Sequence, residues 1–539
     1  MSLDLGAWAE VEALWARLLP RTPFGRAAKA RLAPLADRAA LEALHDRTDA
    51  ALRFLDGLAG PGALDGDRVA LDRLHHHLDR LPRFPDSPRD ALDEVELFQL
   101  KKFLFNHGAL LALLPPELKE LLGLRPLPSE LSALLGAGRQ GDETFHVADA
   151  YDPELARVRA ALRENDASAR TLREAHEAAL RARWGFAFEG RAFLLVPRER
   201  LGPPADAAGL LDVEPWDASR LCVRPRPAVE TLRLAEERSA LLAEERVFEA
   251  RVLAALSVPL REALPAFLEQ AKAVEELDLA LARARLAREA GLVRPTFDGH
   301  RIRVEGGRHL PTEELCASLG TPYTPLDAEL APGPTVVFGS NMGGKTVALK
   351  TVAFLQLAAQ SGLFVPARAF ATHVFRRFHY VGEGRGRDEG RGLSGFGFEI
   401  RQLAGAWADL EGDTLALFDE FARTTSSAEA EALLSAVLEA LAEKPRAVVL
   451  FSTHFQGVKR LPGVRYLRMG GLDRARLDLE AGADEDLAAR IRRTDTLMRF
   501  SLEPDEPGER RSDAIAVARL LGLSPALARR AEDFLRDGE

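Results

Sequence analysis

The sequence predicts a multidomain protein with two unlike halves: an all-α part with long helices and a small insertion, then an α/β domain. Its 539 residues are about three times the usual length of one domain. Up to about residue 295, apolar residues recur every three or four positions, which is typical of amphipathic helices. After Pro295, short apolar runs alternate with helical patterns, which indicates a largely parallel sheet.

Two long helices are expected in the first half, at Asp152 to Trp184 and Ala228 to Gly291. The second is expected to break near Pro259 and Pro265, because proline removes a helical hydrogen bond and its ring crowds the preceding turn. Between these helices, residues 186–227 mix aromatic and β-branched side chains with proline, aspartate and arginine. We interpret them as an irregular, partly β insertion.

Three apolar runs in the second half have the composition of strands buried on both faces. They are Thr335 to Phe338, Thr414 to Phe418 and Ala447 to Phe451. Each is separated from the next by segments long enough to include a helix, which favours a parallel sheet.

Overall composition excludes several classes of protein. Hydrophobic residues make up 47% and charged residues 29% of the chain, which is an ordinary composition for a globular protein. The net charge is -10, which counts against a protein whose whole surface binds nucleic acid. Cys222 and Cys316 cannot form a disulfide framework or a four-ligand zinc site. Without a basic-then-apolar leader or a run of 18 apolar residues, we expect a cytoplasmic protein with no membrane partner.

A phosphate-binding loop follows the first predicted strand and precedes a helical pattern, as the motif GxxxxGK[ST] requires. Its glycines let backbone N–H groups surround phosphates, Lys345 supplies a cation to the β and γ phosphates, and Thr346 offers a hydroxyl to Mg²⁺. The ligands implied are ATP and Mg²⁺. The predicted ATP-binding residues are Gly339, Ser340, Asn341, Met342, Gly343, Gly344, Lys345 and Thr346.

The other two predicted strands end in polar residues at the same edge of a parallel sheet. Asp419 and Glu420 follow the second strand. Asp419 is predicted to hold Mg²⁺, and Glu420 to accept a proton from an attacking water. His454 follows the third strand and is predicted to sense the γ phosphate. With Lys345, Glu420 and His454 form the predicted catalytic set.

Four segments together resemble the ATPase domain of the MutS mismatch-repair family, a branch of the ABC ATPases. They are GSNMGGKT at residues 339–346, LSGFGFE at 393–399, DEFARTTSS at 419–427 and STH at 452–454. The resemblance implies a homodimer, or a heterodimer with a related chain, in which two subunits enclose two ATP molecules. Ser394 of each subunit would then reach the γ phosphate held by the other.

The same resemblance implies an order of domains. Residues 1–150 would form a helical core, 151–295 lever helices with a clamp-like insertion at about 186–227, and 296–485 the P-loop ATPase domain. Residues 486–539 would form a C-terminal helical dimerisation segment. The chain is expected to be a short member, without the mismatch-recognition and connector domains of the repair enzymes.

The sequence also departs from the family pattern at the nucleotide loops. Ala422 and Thr424 stand where the family has glycines, and a residue with a Cβ restricts the backbone there. Ser340 stands where a proline is usual, a change that we expect to be tolerated. Hydrolysis or coupling between subunits is therefore expected to differ from that of the repair enzymes.

The leading functional hypothesis is a dimeric ATPase that opens and closes a clamp on DNA, selecting DNA structure without reading mismatches. The alternative is an ATP-dependent reactivating factor for a protein client such as a cobalamin-dependent aminomutase, and a third hypothesis is a slowly hydrolysing structural switch. Phosphate contacts with DNA are predicted for the arginines of the insertion, weighed equally against a solvated loop. These arginines are Arg198, Arg200, Arg220, Arg224 and Arg226.

Overall fold

A computed structural model describes most of the chain. The described residues are 3–60, 64–85, 87, 91–138, 140–141, 143–202, 209–340, 343–382, 395–443, 445–473, 490, 494, 496–506 and 513–537. The chain divides into two compact units. The first unit comprises Met1–His75, Leu114–Gly123 and Ala273–Glu539, and the second comprises His76–Leu113 and Leu124–Lys272. The four-part division along the sequence stays a prediction.

Helices make up most of the described structure before residue 295, and further helices follow it. In chain order they are α1 (Leu3–Trp8), α2 (Glu12–Arg17), α3 (Pro23–Lys29), α4 (Arg38–Ala59), α5 (Asp65–Arg80), α6 (Glu94–Leu113), α7 (Pro116–Leu122), α8 (Ser129–Leu135), α9 (Pro153–Trp184), α10 (Arg198–Leu201), α11 (Val229–Ala290), α12 (Leu310–Leu319), α13 (Lys345–Gln360), α14 (Gly395–Ala406), α15 (Ser427–Ala442), α16 (Ala514–Leu520) and α17 (Pro525–Asp537). Short 3₁₀ helices occur at Asp149–Tyr151 and Trp407–Glu411.

Strands form three separate sheets. They are β1 (Leu194–Pro197), β2 (Leu211–Pro215), β3 (Arg220–Pro225), β4 (Ile302–Gly307), β5 (Leu326–Leu330), β6 (Gly333–Phe338), β7 (Ala369–Ala371), β8 (Arg377–Val381), β9 (Thr414–Phe418), β10 (Val448–Thr453), β11 (Arg465–Leu472) and β12 (Met498–Pro504). The spatial orders are β1-β3-β2, β5-β4-β7 and β12-β11-β6-β10-β9-β8.

The six-stranded sheet is the centre of the first unit. Its strands pair in parallel except at one edge, where β12 runs antiparallel to β11. Every residue of β6, β9 and β10 is buried. The three apolar runs predicted as buried strands are therefore confirmed. Because β6, β9 and β10 are parallel neighbours, the loops that follow them lie at one edge of the sheet.

The N-terminal helices share the hydrophobic core of the first unit. Leu5, Leu14 and Leu41 belong to the same buried cluster as Leu349 and Phe354 of α13. The ring of Trp8 also stacks on that of Tyr380 in β8, with ring centroids 4.3 Å apart. Residues near the start of the chain thus help to hold the helix that follows the phosphate loop.

In the second unit, α9 and the part of α11 before residue 273 run antiparallel. The Arg159 guanidinium binds Glu245 at 2.7 Å and Glu249 at 2.6 Å, and nearer the other end of the pair Arg238 binds Asp166 at 2.8 Å. The two predicted long helices are confirmed.

The predicted break near Pro259 and Pro265 is wrong. Both prolines lie inside the continuous helix α11. Their fixed φ is compatible with a helix, and the cost of about 3 kcal/mol for each is met by packing. Leu256, Leu260 and Phe267 are buried on the same stretch.

The insertion contains the expected β structure. Strands β1, β3 and β2 form a small antiparallel sheet. Val196 and Val223 of this sheet pack with Leu180 and Trp184 near the end of α9. The segment thus has a small hydrophobic core of its own.

Both cysteines are free thiols, Cys222 buried in β3 and Cys316 half-buried in α12. Within the described ranges, no helix combines the length and apolarity needed to cross a membrane. The same residues contain no group of three or more His, Cys, Asp or Glu side chains suited to a metal ion.

Candidate nucleotide site

The phosphate loop connects β6 to α13, as the sequence predicts. Gly344 precedes the helix with a φ of +84°, and a Cβ there would lie 2.9 Å from Cδ1 of Phe500. Both the backbone conformation and the close approach of Phe500 therefore require glycine. Among the described residues, no side chain caps the start of α13, so its first N–H groups can meet an anion. Asn341 and Met342 lie outside the described residues.

Lys345 lies at the centre of the site and is only 3% exposed. Its ammonium donates to the backbone carbonyls of Gly339 at 2.8 Å and Ser340 at 2.9 Å. Its Nζ is 3.8 Å from Oε1 of Glu420. Burial lowers the pKa of Lys345, whereas the nearby carboxylates of Glu420 and Asp419 raise it. The loop thus holds a buried cation beside two acids.

Asp419 follows β9 and accepts hydrogen bonds from two hydroxyl groups. Thr346 Oγ1 lies 3.0 and 3.1 Å from its two oxygens, and Ser452 Oγ lies 2.7 Å from one of them. Burial raises the pKa of Asp419, and the hydrogen bonds from Ser452 and Thr346 oppose that rise. The Thr346 hydroxyl and the Asp419 carboxylate offer the oxygen ligands that Mg²⁺ prefers, so the residues present fit that ion.

Glu420 occupies a strained turn beside Asp419. Its φ is +52°, in the left-handed region that side chains with a Cβ disfavour. Its backbone N–H donates to Ser452 Oγ at 2.9 Å, and its carboxylate accepts from Arg423 at 3.0 Å. The side chain is 16% exposed, so water can reach it.

His454 follows β10 and is exposed. Burial of part of the ring lowers the pKa of His454, and the charges of Glu420, Lys345 and Arg423 also act on it. A lowered pKa favours the neutral form of the ring. The ends of β6, β9 and β10 thus bring together Lys345, Glu420 and His454.

Sequence reasoning missed two residues of this site. Ser452 joins the two acids, since its hydroxyl donates to Asp419 and accepts from the N–H of Glu420. Arg423 binds the carboxylate of Glu420. The signal for Ser452 was its place near the end of β10, two residues before His454 in the chain.

Ser394, the predicted contact to a partner's nucleotide, lies outside the described residues. Helix α14 begins at the next residue, Gly395. Of the family glycine positions, Ala422 has a φ of +63° and is buried, so the backbone adopts there a conformation that glycine would accept more readily.

The five arginines predicted to contact DNA each bind groups within the same unit. Arg220 pairs with Asp217, Arg224 with Glu214 and Arg226 with Asp212. Arg198 donates to the carbonyl of Asp217, and Arg200 to those of Trp184 and Gly185. Residues 186–227 contain six arginines and six acids, so their formal charge is zero.

Comparison with known proteins identifies related chains. A family model described as MutS domain V matches residues 335–537. The chain is 31% identical over 445 residues to the DNA mismatch repair protein MutS of Thermus aquaticus, covering 78% of this chain and 50% of that protein. It is 31% identical over 421 residues to the Endonuclease MutS2 of Thermomicrobium roseum, covering 73% and 48%. The chain thus spans about half the length of these curated relatives.

Proposed function

The chain belongs to the MutS family, and from this premise we propose that it is an ATPase whose nucleotide joins two subunits. The observation that carries this proposal is the convergence of Lys345, Thr346, Asp419 and Glu420 at one edge of the parallel sheet. A buried cation next to a hydroxyl and two acids is an arrangement suited to a magnesium-bound triphosphate.

In this proposal, each residue has one task. Lys345 binds the β and γ phosphates, and Thr346 and Asp419 hold Mg²⁺, which when bound neutralises charge on the phosphates. A carboxylate oxygen of Glu420 accepts the proton of the attacking water. Ser452 fixes Asp419 and Glu420 relative to each other through its hydroxyl. Neutral His454 forms a hydrogen bond to the γ phosphate.

A Glu420→Gln variant tests the reaction. It should bind Mg²⁺–ATP with the affinity of the parent but lose at least about 100-fold in turnover, because the amide cannot accept the proton. Glu439→Gln on the exposed face of α15 is a matched control that should hydrolyse ATP normally. Parental turnover by Glu420→Gln would show that this residue is not the base.

We further propose that the two sites are shared between subunits, with Ser394 of one subunit meeting the γ phosphate of the other. The Ser394→Ala and Lys345→Ala chains should each be inactive alone. Mixing them should restore part of the activity, because one site of the mixed dimer has an intact loop facing an intact Ser394. No restoration in a mixture shown to contain mixed dimers would refute sharing.

We propose DNA as the partner, bound by a clamp that selects DNA structure rather than mismatches. Support comes from the relatives, whose names describe DNA mismatch repair and an endonuclease. Binding to duplex and four-way-junction DNA should weaken steeply with rising salt if phosphates are contacted.

The second candidate is a reactivating factor for a protein client such as a cobalamin-dependent aminomutase. The observation that favours it is the zero formal charge of residues 186–227, where the five arginines predicted to contact DNA bind acids or carbonyls of their own unit. Failure to bind any DNA at low salt, together with capture of an aminomutase by the Glu420→Gln variant, would select this candidate.

A further inference from the structure

The turn after β9 contains two residues whose backbone favours glycine. Glu420 has a φ of +52° and Ala422 a φ of +63°. Such residues persist where the surrounding structure holds them, and they concentrate at functional sites. What holds this turn therefore also determines where the Glu420 carboxylate lies.

The first half of the turn is anchored by elements already described. The N–H of Glu420 donates to Ser452 at 2.9 Å. The ring of Phe421 is buried edge-on against those of Phe418 and Phe451, with centroids 5.8 and 6.3 Å apart. These contacts fix Glu420 and Phe421 but not the conformation of Ala422.

Glu399 anchors the second half. It lies on α14 and is only 6% exposed, and its Oε2 accepts the backbone N–H of fully buried Ala422 at 2.8 Å. A buried N–H needs an acceptor, and the carboxyl oxygen of Glu399 supplies it. Phe396 and Ile400 of the same helix pack against the hydrophobic cluster that contains Phe421 and Ala422. The helix thus presents Glu399 to the turn in a fixed place.

We propose that Glu399 is a positioning residue for Glu420: its carboxylate holds the left-handed turn that aims the proposed base at water. The inference rests on the proposed function. The inference also connects Glu420 to the proposed subunit contact, because α14 begins directly after Ser394, the proposed contact to the partner's nucleotide. A shift of this helix on subunit association would reach Glu420 through the bond from Glu399 to Ala422.

Steady-state kinetics of Glu399→Ala test the proposal. The variant should lose about 10- to 100-fold in kcat, because a small displacement of a reacting group has an effect of this size, with KM and nucleotide affinity unchanged. Glu399→Gln should lose less, since its amide oxygen can still accept the N–H of Ala422. Glu439→Ala, on the exposed face of α15, is the matched control and should keep the parental kcat.

A second substitution separates positioning from general damage to the fold. Ala422→Gly relieves the strain at φ +63°, so in the Glu399→Ala background it should recover at least about threefold of the lost kcat. In the Glu420→Gln background it should recover nothing, because the base itself is missing. If Glu399 contributed only to stability, Glu399→Ala would lower the melting temperature, and Ala422→Gly would not recover kcat selectively in the Glu399→Ala background.

The outcomes are distinct. A parent protein that never hydrolyses ATP contradicts the proposed function itself. If the parent hydrolyses ATP and Glu399→Ala keeps its kcat, or if Ala422→Gly recovers none of the loss, the positioning role is overturned and the proposed function stands. Should Glu399→Ala fail to fold, the same comparison is made with Glu399→Gln with and without Ala422→Gly.

Discussion

The nucleotide site and the insertion at residues 186–227 both contain several charged side chains, which are buried in the first region and exposed in the second. At the nucleotide site, Lys345 is 3% exposed, and burial shifts the pKa of both Lys345 and Asp419. In the insertion, the side chains of Arg224 and Arg226 are 53% and 50% exposed and pair with neighbouring acids. Buried charge needs specific partners, whereas exposed ion pairs contribute only about 0–1 kcal/mol and exchange readily. An arginine count alone therefore predicts much less than one buried lysine.

The largest effect is expected at the buried cation. Lys345→Ala should weaken ATP binding by at least about 100-fold, because it removes a desolvated charge from the phosphates. Lys350→Ala, one turn further along α13 and paired with Glu10, is the matched control and should bind ATP normally. Titration with a fluorescent ATP analogue measures the affinity of both variants. Parental affinity in Lys345→Ala would show that the buried lysine does not bind the phosphates.

A smaller effect is expected in the insertion, and its direction is informative. Replacing Asp212 and Glu214 by their amides removes the carboxylates that pair with Arg226 and Arg224 and raises the local formal charge from zero to +2. If this surface contacts DNA, affinity at low salt should rise about fivefold, since the loss of two carboxylates makes the surface more attractive to phosphates. Alanine at both arginines should lower it.

Fluorescence anisotropy with a labelled four-way junction at two salt concentrations measures both changes. If neither pair of substitutions alters the affinity, the insertion does not contact phosphate, and its charges serve only its own fold.

The nucleotide loops were predictable because local chemistry determines them. A buried strand followed by GxxxxGK[ST] specifies the turn and the helix whatever surrounds them, and Lys345 and Thr346 lie where the motif requires. The acids after β9 were predictable for the same reason. Long-range contacts could not be predicted from the sequence. The hydrogen bond between Glu399 and Ala422 joins residues 23 apart in sequence. The ion pairs of Arg224 and Arg226 depend on the register of β2 and β3. The continuous α11 was missed because packing outweighed the local effect of two prolines.

Asp419 provides a test of what burial costs. Burial raises its pKa, so the folded protein holds this proton more tightly than the unfolded chain, and the free energy of unfolding falls as pH rises through that pKa. Asp419→Asn cannot ionise. It should therefore melt at a higher temperature than the parent near neutral pH, with the difference closing as the pH falls towards the ordinary aspartate pKa of about 4.

Thermal melts of both proteins across that pH range measure the difference. A variant that is destabilised equally at all pH values would show that ionisation of Asp419 carries no cost in the fold.

The smallest effect is expected at Ser340. Its hydroxyl is buried, and no described residue forms a hydrogen bond with it. Ser340→Ala should raise the free energy of unfolding by about 1 kcal/mol in urea titrations. The contact of Ser340 with Lys345 is through its backbone carbonyl and does not involve its side chain, so ATP affinity should stay within about threefold of the parent. A loss of stability would mean that the hydroxyl has a partner among the neighbouring residues.

The central claim is that the γ phosphate held by the loop after β6 decides whether two copies of the chain associate. The molar mass of the Glu420→Gln variant, measured by sedimentation with Mg²⁺–ATP and with Mg²⁺–ADP, tests it most directly. We expect twice the mass of one chain with ATP and a lower average mass with ADP. A mass that is the same with ATP, with ADP and without nucleotide would contradict it.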